Sequence, residues 1–373
     1  MLFKPPKLTR NDIATLRRVN EIRREVGVSV RGGHAWAGSL ARLQRAIQTR
    51  STNAIEGHDV DLADALAIEA RMEPAVAGKL DTAALAGYRD AMDYLILLAR
   101  DEHFTYDLGV LRALHRSMTL PYRDELIRLK LLNRPGHQDP RPGLWRTGGV
   151  QVTGTDGAPV YTGPAATEVP TLMAELIDSL NEPGHESPIV CAAMAHLNLI
   201  GIHPWADGNG RMSRALQTLV LARGLDDLAP AWVGVEEWLA GHREAYYAAL
   251  RERGAGWTPH KDSLPWVRFC LQAHLEQAEL ILNRVRHERL LLDRVSALAV
   301  GRPDRVESVL YDAARGLRIT NAGYREQSGG EISNHQAAMD LRALVNAGLL
   351  ELHGAGRGAW YAAGEKLRAA VAD

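Results

Sequence analysis

The sequence predicts a mainly α-helical chain with two small β-hairpins. Two observations carry that expectation. Apolar residues recur at three- and four-residue spacing through most of the 373 positions, and strand-like alternation is clear in two short places only, near residues 145–161 and 349–361. The length allows two or three domains and a sizeable core. Lys and Arg number 44 against 45 Asp and Glu, a net charge of −1, so the chain as a whole lacks the electrostatic footprint of a nucleic-acid or membrane binder. Cys191 and Cys270 both sit in apolar helical contexts and read as buried thiols in a reducing compartment. Met1-Leu2-Phe3-Lys4-Pro5-Pro6 shows no apolar leader, and no apolar run approaches membrane length. A soluble, cytoplasmic protein is expected.

Residues 11–26 form the first helical pattern, with Ile13, Leu16, Val19 and Ile22 as its apolar stripe. After a Gly-rich gap at 32–38, Ser39 is expected to cap a second helix carrying Leu40, Leu43 and Ile47. This helix runs to Thr52-Asn53-Ala54-Ile55-Glu56-Gly57, where Gly57 reads as the residue just past the helix end. A carboxylate at Glu56 opposes the helix dipole, so it either faces solvent or has a cationic partner; residue type alone favours solvent. Residues 79–100 and 107–118 read as helices, with His115 structural. A Pro/Gly/Asp loop at 135–142 precedes a hairpin running from Trp145 to Thr153, turning at Asp156-Gly157 and returning through Val160-Tyr161. Residues 166–182 make another helix, capped around Asn181 and Gly184.

The stretch His203-Pro204-Trp205-Ala206-Asp207-Gly208-Asn209-Gly210-Arg211-Met212-Ser213-Arg214 concentrates the chemistry. An apolar helix from Ser187-Pro188 stops at Pro204, and Leu216, Leu219 and Val220 continue a second one that Gly224 is expected to cap. Between them lies a loop leading into a helix N-terminus. Gly208 and Gly210 let a ligand approach the backbone, and free N–H groups with the positive dipole end favour an anion. Arg211 and Arg214 share one helical face and oppose that dipole, which calls for an anionic partner such as phosphate. Asp207 is a hard oxygen ligand suited to magnesium bridging phosphates, and His203 is a base for a proton near neutral pH.

Downstream, residues 236–252 read as a helix carrying the Tyr246-Tyr247 pair, whose ordinary reading is aromatic core. A loop from Arg253 to Ser263 ends the core, and a long helix from Pro265 to Leu298 follows, broken at Gly301-Arg302-Pro303. Helices at 304–314, Thr320–Gln327 and from Ser333 through Asn346 precede a hairpin with a Gly-Ala-Gly-Arg-Gly tip, so the tail resembles a winged helix-turn-helix. Residues 301–373 hold nine Arg/Lys and nine Asp/Glu, and only Arg342 and His335 offer basic contacts on the third helix. That balance favours a protein-interaction or dimerisation role over DNA binding.

The 203–214 stretch closely resembles the signature of the Fic (filamentation induced by cAMP) family, His-Pro-Phe-x-(Asp/Glu)-Gly-Asn-Gly-Arg-x-x-Arg, with Trp205 in place of phenylalanine. The resemblance implies a Fic helical core with a β-hairpin flap, and transfer of AMP from ATP to a Ser, Thr or Tyr hydroxyl of a protein. It implies four segments: an N-terminal inhibitory helical region over 1–76, a catalytic core over 77–263, a connecting helix over 264–300 and the winged-helix-like tail over 301–373. His203 would be the base and Asp207 the Mg2+ ligand. Gly208, Asn209, Gly210, Arg211 and Arg214 would hold ATP, joined by Tyr246 and Tyr247 and by Val152 and Thr153 of the flap. Thr52-x-x-x-Glu56-Gly57 resembles the inhibitory motif whose place before the signature defines class II, so Glu56 is expected to pair with Arg214 and keep it from the γ-phosphate. The flap edge would take the target segment by strand addition. Self-modification and a homodimer belong to the same expectation. Rival readings are a Fic enzyme using another nucleotide, removal of AMP with Glu56 activating water, or a transcription regulator sensing nucleotide through the core.

Overall fold

The computed structural model describes residues 1–30, 35–154, 157–182, 186–225 and 230–372. Part of the expected Gly-rich gap (31–34), Asp156 of the hairpin turn and Gly184 lie outside the described residues. The architecture is mainly α. Helices α1 (Arg10–Val30), α2 (Ala35–Ile55), α3 (Leu62–Glu69), α4 (Lys79–Arg100) and α5 (Leu108–Arg128) precede strands β1 (Gln151–Thr153) and β2 (Pro159–Thr162). Then come α6 (Val169–Asn181), α7 (Pro188–Ile202), α8 (Asn209–Gly224), α9 (Glu236–Gly241), α10 (Arg243–Glu252) and α11 (Leu264–Ala299). The remainder is α12 (Arg305–Ala314), α13 (Asn321–Gln327), α14 (Asn334–Asn346), β3 (Leu350–His353), β4 (Trp360–Ala363) and α15 (Glu365–Val371). Both strand pairs are antiparallel, and β1–β2 carries an irregularity between Val152 and Thr153. The chain divides into two compact units, one of Met1–Glu25 with Gln44–Leu280 and one of Val26–Leu43 with Ile281–Asp373.

In the larger unit α7 is core on every side: each residue from Ala192 to Ile202 is buried, and so is each from Arg211 to Ala222 of α8. These two helices pack together, and α4 packs on both α5 and α8. Two glycines permit the closeness. A Cβ at Gly87 would stand 2.2 Å from the Met118 carbonyl oxygen, and one at Gly224 would stand 2.6 Å from Cβ of Pro188. Gly224 therefore ends inside α8, kept small for packing, and Leu225 is the cap residue.

Several local expectations are corrected. Ser39 lies within α2, not at its start, and its hydroxyl accepts a bond from Arg42 one turn on at 2.8 Å. α5 runs on through Pro121 to Arg128. A mid-helix proline costs about 3 kcal/mol, whereas each large apolar side chain buried contributes about 1.5–3 kcal/mol. Tyr122 and Leu126, both buried beyond the proline, outweigh it. α3 was not foreseen; Asp61 caps it by accepting from the Asp64 N–H at 2.7 Å. The helix expected over 236–252 divides at His242, whose Nδ1 turns back onto the Trp238 carbonyl at 2.9 Å.

In the smaller unit Thr320 caps α13 and Ser333 caps α14 through their hydroxyls. Asp340 receives Arg305 at 2.8 and 3.2 Å, the Tyr324 hydroxyl at 2.9 Å and Gln336 at 2.9 Å. Val309, Leu310, Leu341, Leu344 and Leu350 are buried there. Among the described residues no helix is long and apolar enough to cross a membrane.

Candidate active site

The α7–α8 junction is built to hold one unusual backbone posture. His203 ends α7 in the left-handed region at φ 52° and ψ 58°, where a non-glycine residue sits only if its surroundings fix it. Arg146 supplies much of that fixing. Its Nε donates to the His203 carbonyl at 2.8 Å, and its other nitrogens reach the carbonyls of Gly148 (2.8 Å), Pro164 (2.6 Å) and Ile202 (3.4 Å). A buried cation capping the last carbonyls of α7 also suits the negative end of the dipole. It ties the hairpin's approach to the histidine.

The loop is held from beneath by rings. Trp205 is fully buried, stacked on His115 with centroids 4.4 Å apart and planes at 4°. Nδ1 of His115 accepts the Gly143 N–H at 2.9 Å, so its proton sits on Nε2, which donates to the Asp207 carbonyl at 3.0 Å. His115 is thus the structural histidine expected from sequence. The amide of Asn209 is also spent on the loop: Oδ1 accepts from the Trp205 N–H and Nδ2 donates to the Trp205 carbonyl, both at 3.0 Å. Its side chain braces the turn, and Asn209 also lines the cavity above it.

A cavity of about 620 Å3 opens over this junction. Its walls include His203, Asp207, Gly208 and Gly210, with Glu56 on one side and Val152 of the hairpin on another. Nδ1 of His203 lies 3.3 Å from the Ile200 carbonyl, which can only accept, so Nδ1 carries the proton and Nε2 holds a lone pair. Burial lowers the His203 pKa to about 4, with Arg253 and Arg146 adding to the effect, so the ring is neutral near pH 7. Asp207 accepts the Gly208 N–H at 2.6 Å and keeps a half-exposed carboxylate 3.6 Å from Arg211. Among the described residues no group of three or more His, Cys, Asp or Glu stands ready as a complete metal cage. One exposed carboxylate beside an anion site fits magnesium, which takes one or two protein carboxylates and fills its sphere from phosphate and water.

Glu56 and Arg214 meet. Nη2 of Arg214 donates to Oε1 of Glu56 at 2.6 Å, while its Nε donates to the Thr52 hydroxyl at 2.7 Å and Nη2 reaches the Thr52 carbonyl at 3.1 Å. The end of α2 is shaped for this. The His58 N–H bonds to Asn53 O and the Gly57 N–H to Ala54 O, with Gly57 at φ 93°, a Schellman ending that leaves Glu56 at the cap. Burial works to lower the Arg214 pKa, but the Glu56 carboxylate outweighs it and the net shift is upward. A Cβ on Gly210 would stand 2.3 Å from Glu56 Oε1, so the carboxylate occupies the open first turn of α8, where an anion is favoured.

The remaining site residues fall less uniformly. Thr153 is exposed on β1 and is not part of the cavity wall. Arg211 and Arg214 are buried behind it; Arg211 touches Asn53 Oδ1 at 3.5 Å. Tyr246 is fully buried, with its hydroxyl 3.0 Å from His196, which fits the aromatic-core reading. Tyr247 is half-buried and donates to the Ile55 carbonyl at 3.3 Å, on the inhibitory helix end itself. Sequence reasoning missed Arg146 and Glu236. Glu236 is a buried carboxylate near Arg214 whose pKa burial raises, held by the Thr218 hydroxyl at 3.1 Å. Glu236-Glu237 at a helix start was visible; its burial was not.

Comparison with known proteins finds a family model that matches part of the chain. The Fic/DOC family model matches residues 105–221. A protein adenylyltransferase Fic from Nematostella vectensis is 30% identical over 268 residues, 68% of this chain and 55% of its own length. A protein adenylyltransferase fic-1 from Caenorhabditis briggsae is 36% identical over 116 residues, 30% of this chain and 20% of its own length. The chain thus spans about half of the first relative and about a fifth of the second. The crystal structure of a Fic family protein from Desulfovibrio desulfuricans G20 superposes with a TM-score of 0.58 at 21% identity, over 97% of this chain and 99% of that one. Through residues 105–221, the chain belongs to the Fic/DOC family.

Proposed function

We propose that this chain is a protein adenylyltransferase, moving AMP from ATP onto a Ser, Thr or Tyr hydroxyl of a target protein, and that Glu56 holds it in check in the class II manner. The observation that carries the reading is the meeting, in one cavity, of a neutral histidine with a free Nε2 and the open N-terminus of α8 flanked by Asp207. The two relatives named protein adenylyltransferase support it.

In this mechanism the ATP phosphates lie over Gly208 to Gly210, where backbone N–H groups and the helix dipole meet negative charge. Asp207 would hold Mg2+, which supplies charge neutralisation on the phosphates. Nε2 of His203 takes the proton of the target hydroxyl as its oxygen bonds to the α-phosphorus and the bond to pyrophosphate breaks. Arg211 neutralises phosphate oxygens from the first turn of α8, and Arg214 turns to the γ-phosphate once Glu56 leaves. Positioning and charge carry the rate, with little covalent work for the protein. The β1 edge beside Val152 offers backbone groups to a target strand, which fixes a peptide without demanding a given side chain.

A second reading, removal of AMP, is favoured by the presence of the Glu56 carboxylate in the same wall as His203. Full-length protein, wild type and Glu56→Gly, incubated with α-labelled ATP and a cell lysate tests the first. Label is expected on protein with Glu56→Gly and lost with His203→Ala added; undiminished labelling by that double variant sinks the assignment.

A further inference from the structure

Among the described residues, two arginines stand in the wall of the cavity that holds His203, and they are spent differently. Arg146 gives its guanidinium to backbone carbonyls. Arg141 gives Nη1 to the Thr147 hydroxyl at 3.1 Å and forms no ion pair among the described residues. The acid nearest to it in the chain, Asp139, is already engaged: Arg123 holds both of its oxygens, at 2.8 and 3.1 Å. Arg141 therefore brings to the cavity a half-buried positive charge that the surrounding wall does not answer.

The backbone beneath this charge is built, not incidental. Arg141 sits in the left-handed region at φ 48°, where a residue with a Cβ stays only if its surroundings hold it. Both flanks are pinned to α5. On one side Oδ1 of Asp139 accepts the Arg141 N–H at 2.9 Å while Arg123 clamps the same carboxylate. On the other side Gly143 gives its N–H to Nδ1 of His115 at 2.9 Å, and its carbonyl accepts from Nε of Arg112 at 2.7 Å. A Cβ on Gly143 would stand 3.1 Å from the Arg112 carbonyl oxygen, so the close approach needs that glycine.

The hairpin indicates what passes by. β2 is paired on both sides, with β1 in the ladder and with the Ala255 carbonyl through the Thr162 N–H at 2.8 Å. The outer edge of β1 has no backbone partner among the described residues, and an edge of that kind takes an added strand. Thr147, which holds the Arg141 guanidinium, stands four residues before Gln151 of β1, at most about 14 Å of extended chain. A strand laid on this edge with a hydroxyl at His203 runs past Arg141 about four residues away from that hydroxyl. We propose that Arg141 sets target choice by pairing with an Asp or Glu side chain of the target at about that distance from the modified residue. Its planar fork matches a carboxylate, and the nucleotide phosphates have the α8 terminus and its arginines instead. The assignment deepens the transferase reading and rests on it.

The test uses full-length protein and two synthetic nine-residue peptides. Each has a central Thr among alanines and glycines; one ends in Asp at both termini and the other in Asn. The first arm needs no turnover. Proton–nitrogen NMR of the arginine Nε–H groups, with the Arg141 signal assigned from Arg141→Gln, is expected to show that signal moving with the Asp peptide and not with the Asn peptide. An equal response to the two peptides overturns the proposal. In the Glu56→Gly background, kcat/KM is expected to be roughly three- to tenfold higher for the Asp peptide, the gap narrowing as salt is added. Arg141→Gln is expected to abolish the preference, and Arg141→Glu to turn it toward a peptide with Lys at both ends. A preference that survives Arg141→Gln overturns the role. A raised KM for ATP in Arg141→Gln places the guanidinium on the nucleotide and overturns it as well. No transfer to any protein or peptide, with the Arg141 signal still moved by the Asp peptide alone, counts against the transferase reading and leaves recognition of an acidic segment standing.

Discussion

Arg214 donates one hydrogen bond to the Glu56 carboxylate at 2.6 Å and two to Thr52, so three of its contacts go to the end of one helix. A planar guanidinium so engaged keeps only Nη1 without a partner among the described residues. Relief of inhibition is then a competition between the end of α2 and the nucleotide.

Glu56→Gly should shift that competition. A hydrogen bond to a charged group is worth about 1.5–3 kcal/mol, so loss of the carboxylate should raise initial transfer rates roughly ten- to a hundredfold. Thr52 still holds the arginine in that variant, and adding Thr52→Val should raise the rate further. Arg214→Ala should lower it in every background. Rates of label incorporation from α-labelled ATP measure all of these, and a Glu56→Gly protein no faster than wild type would show that the pair is only a helix ending.

Tyr247 fastens the same helix end through the Ile55 carbonyl at 3.3 Å. Tyr247→Phe keeps the ring and deletes the donor. A neutral hydrogen bond contributes about 0.5–1.5 kcal/mol, so basal transfer with Glu56 intact should rise about two- to tenfold. In the Glu56→Gly background the same change should have little effect. A fall in both backgrounds would mean that the hydroxyl serves the nucleotide instead.

The parts of this design that were legible in sequence are local ones. Gly57 after a helical run predicts a helix ending, and His203 to Arg214 carries base, acid, glycines and arginines in twelve consecutive positions. The long-range parts were hidden. Arg146 looks like one residue of a strand, because nothing in the sequence announces that three distant carbonyls, with that of nearby Gly148, converge on it. The sequence reading ends α5 at 118, ten residues short, because local propensity is weighed without the buried face that carries the helix on through Pro121. The resemblance implies that Asn209 holds ATP, and nothing in the sequence shows that its amide also braces the Trp205 backbone.

Arg146 gives a stability prediction. Arg146→Met keeps the apolar stem and leaves carbonyls of Gly148, Pro164, Ile202 and His203 without their donor. Each buried acceptor stranded costs about 1–3 kcal/mol, partly recovered by water, so a net loss of about 3 kcal/mol is expected. Urea unfolding followed by tryptophan fluorescence reads it directly. A midpoint equal to wild type would show that the arginine is not what holds the α7 ending.

The low pKa of His203 predicts an unusual acid limb. An ordinary histidine base would lose half its activity near pH 6.5, whereas this one stays neutral until about 4. The log of kcat/KM for Glu56→Gly should therefore stay flat from pH 7.5 down to about 5.5, as that ratio reports the free enzyme. The sign for stability follows. The folded pKa lies below the unfolded one, so unfolding takes up a proton between about pH 6.5 and 4, and stability from this group falls as pH drops through that window. His203→Ala should lose this component of the pH dependence. A kinetic pKa near 6.5 would mean that water reaches the ring.

Gly210→Ala separates displacing Glu56 from activating the site. The added methyl would stand 2.3 Å from Glu56 Oε1 and 3.3 Å from Arg214 Nη1, so the carboxylate must move and the ion pair must open. Were an open pair sufficient, this variant would transfer AMP like Glu56→Gly. But the same methyl fills the first turn of α8, where backbone N–H groups would face phosphate, and that space tolerates no side chain if a phosphate is to approach. Gly210→Ala should thus lack the Glu56–Arg214 contact in a crystal structure and still transfer poorly, and adding Glu56→Gly should not rescue it. ATP affinity by calorimetry should fall along with the rate. If Gly210→Ala proves as active as Glu56→Gly, phosphate does not lie over this glycine and the nucleotide pose argued from the helix terminus is wrong.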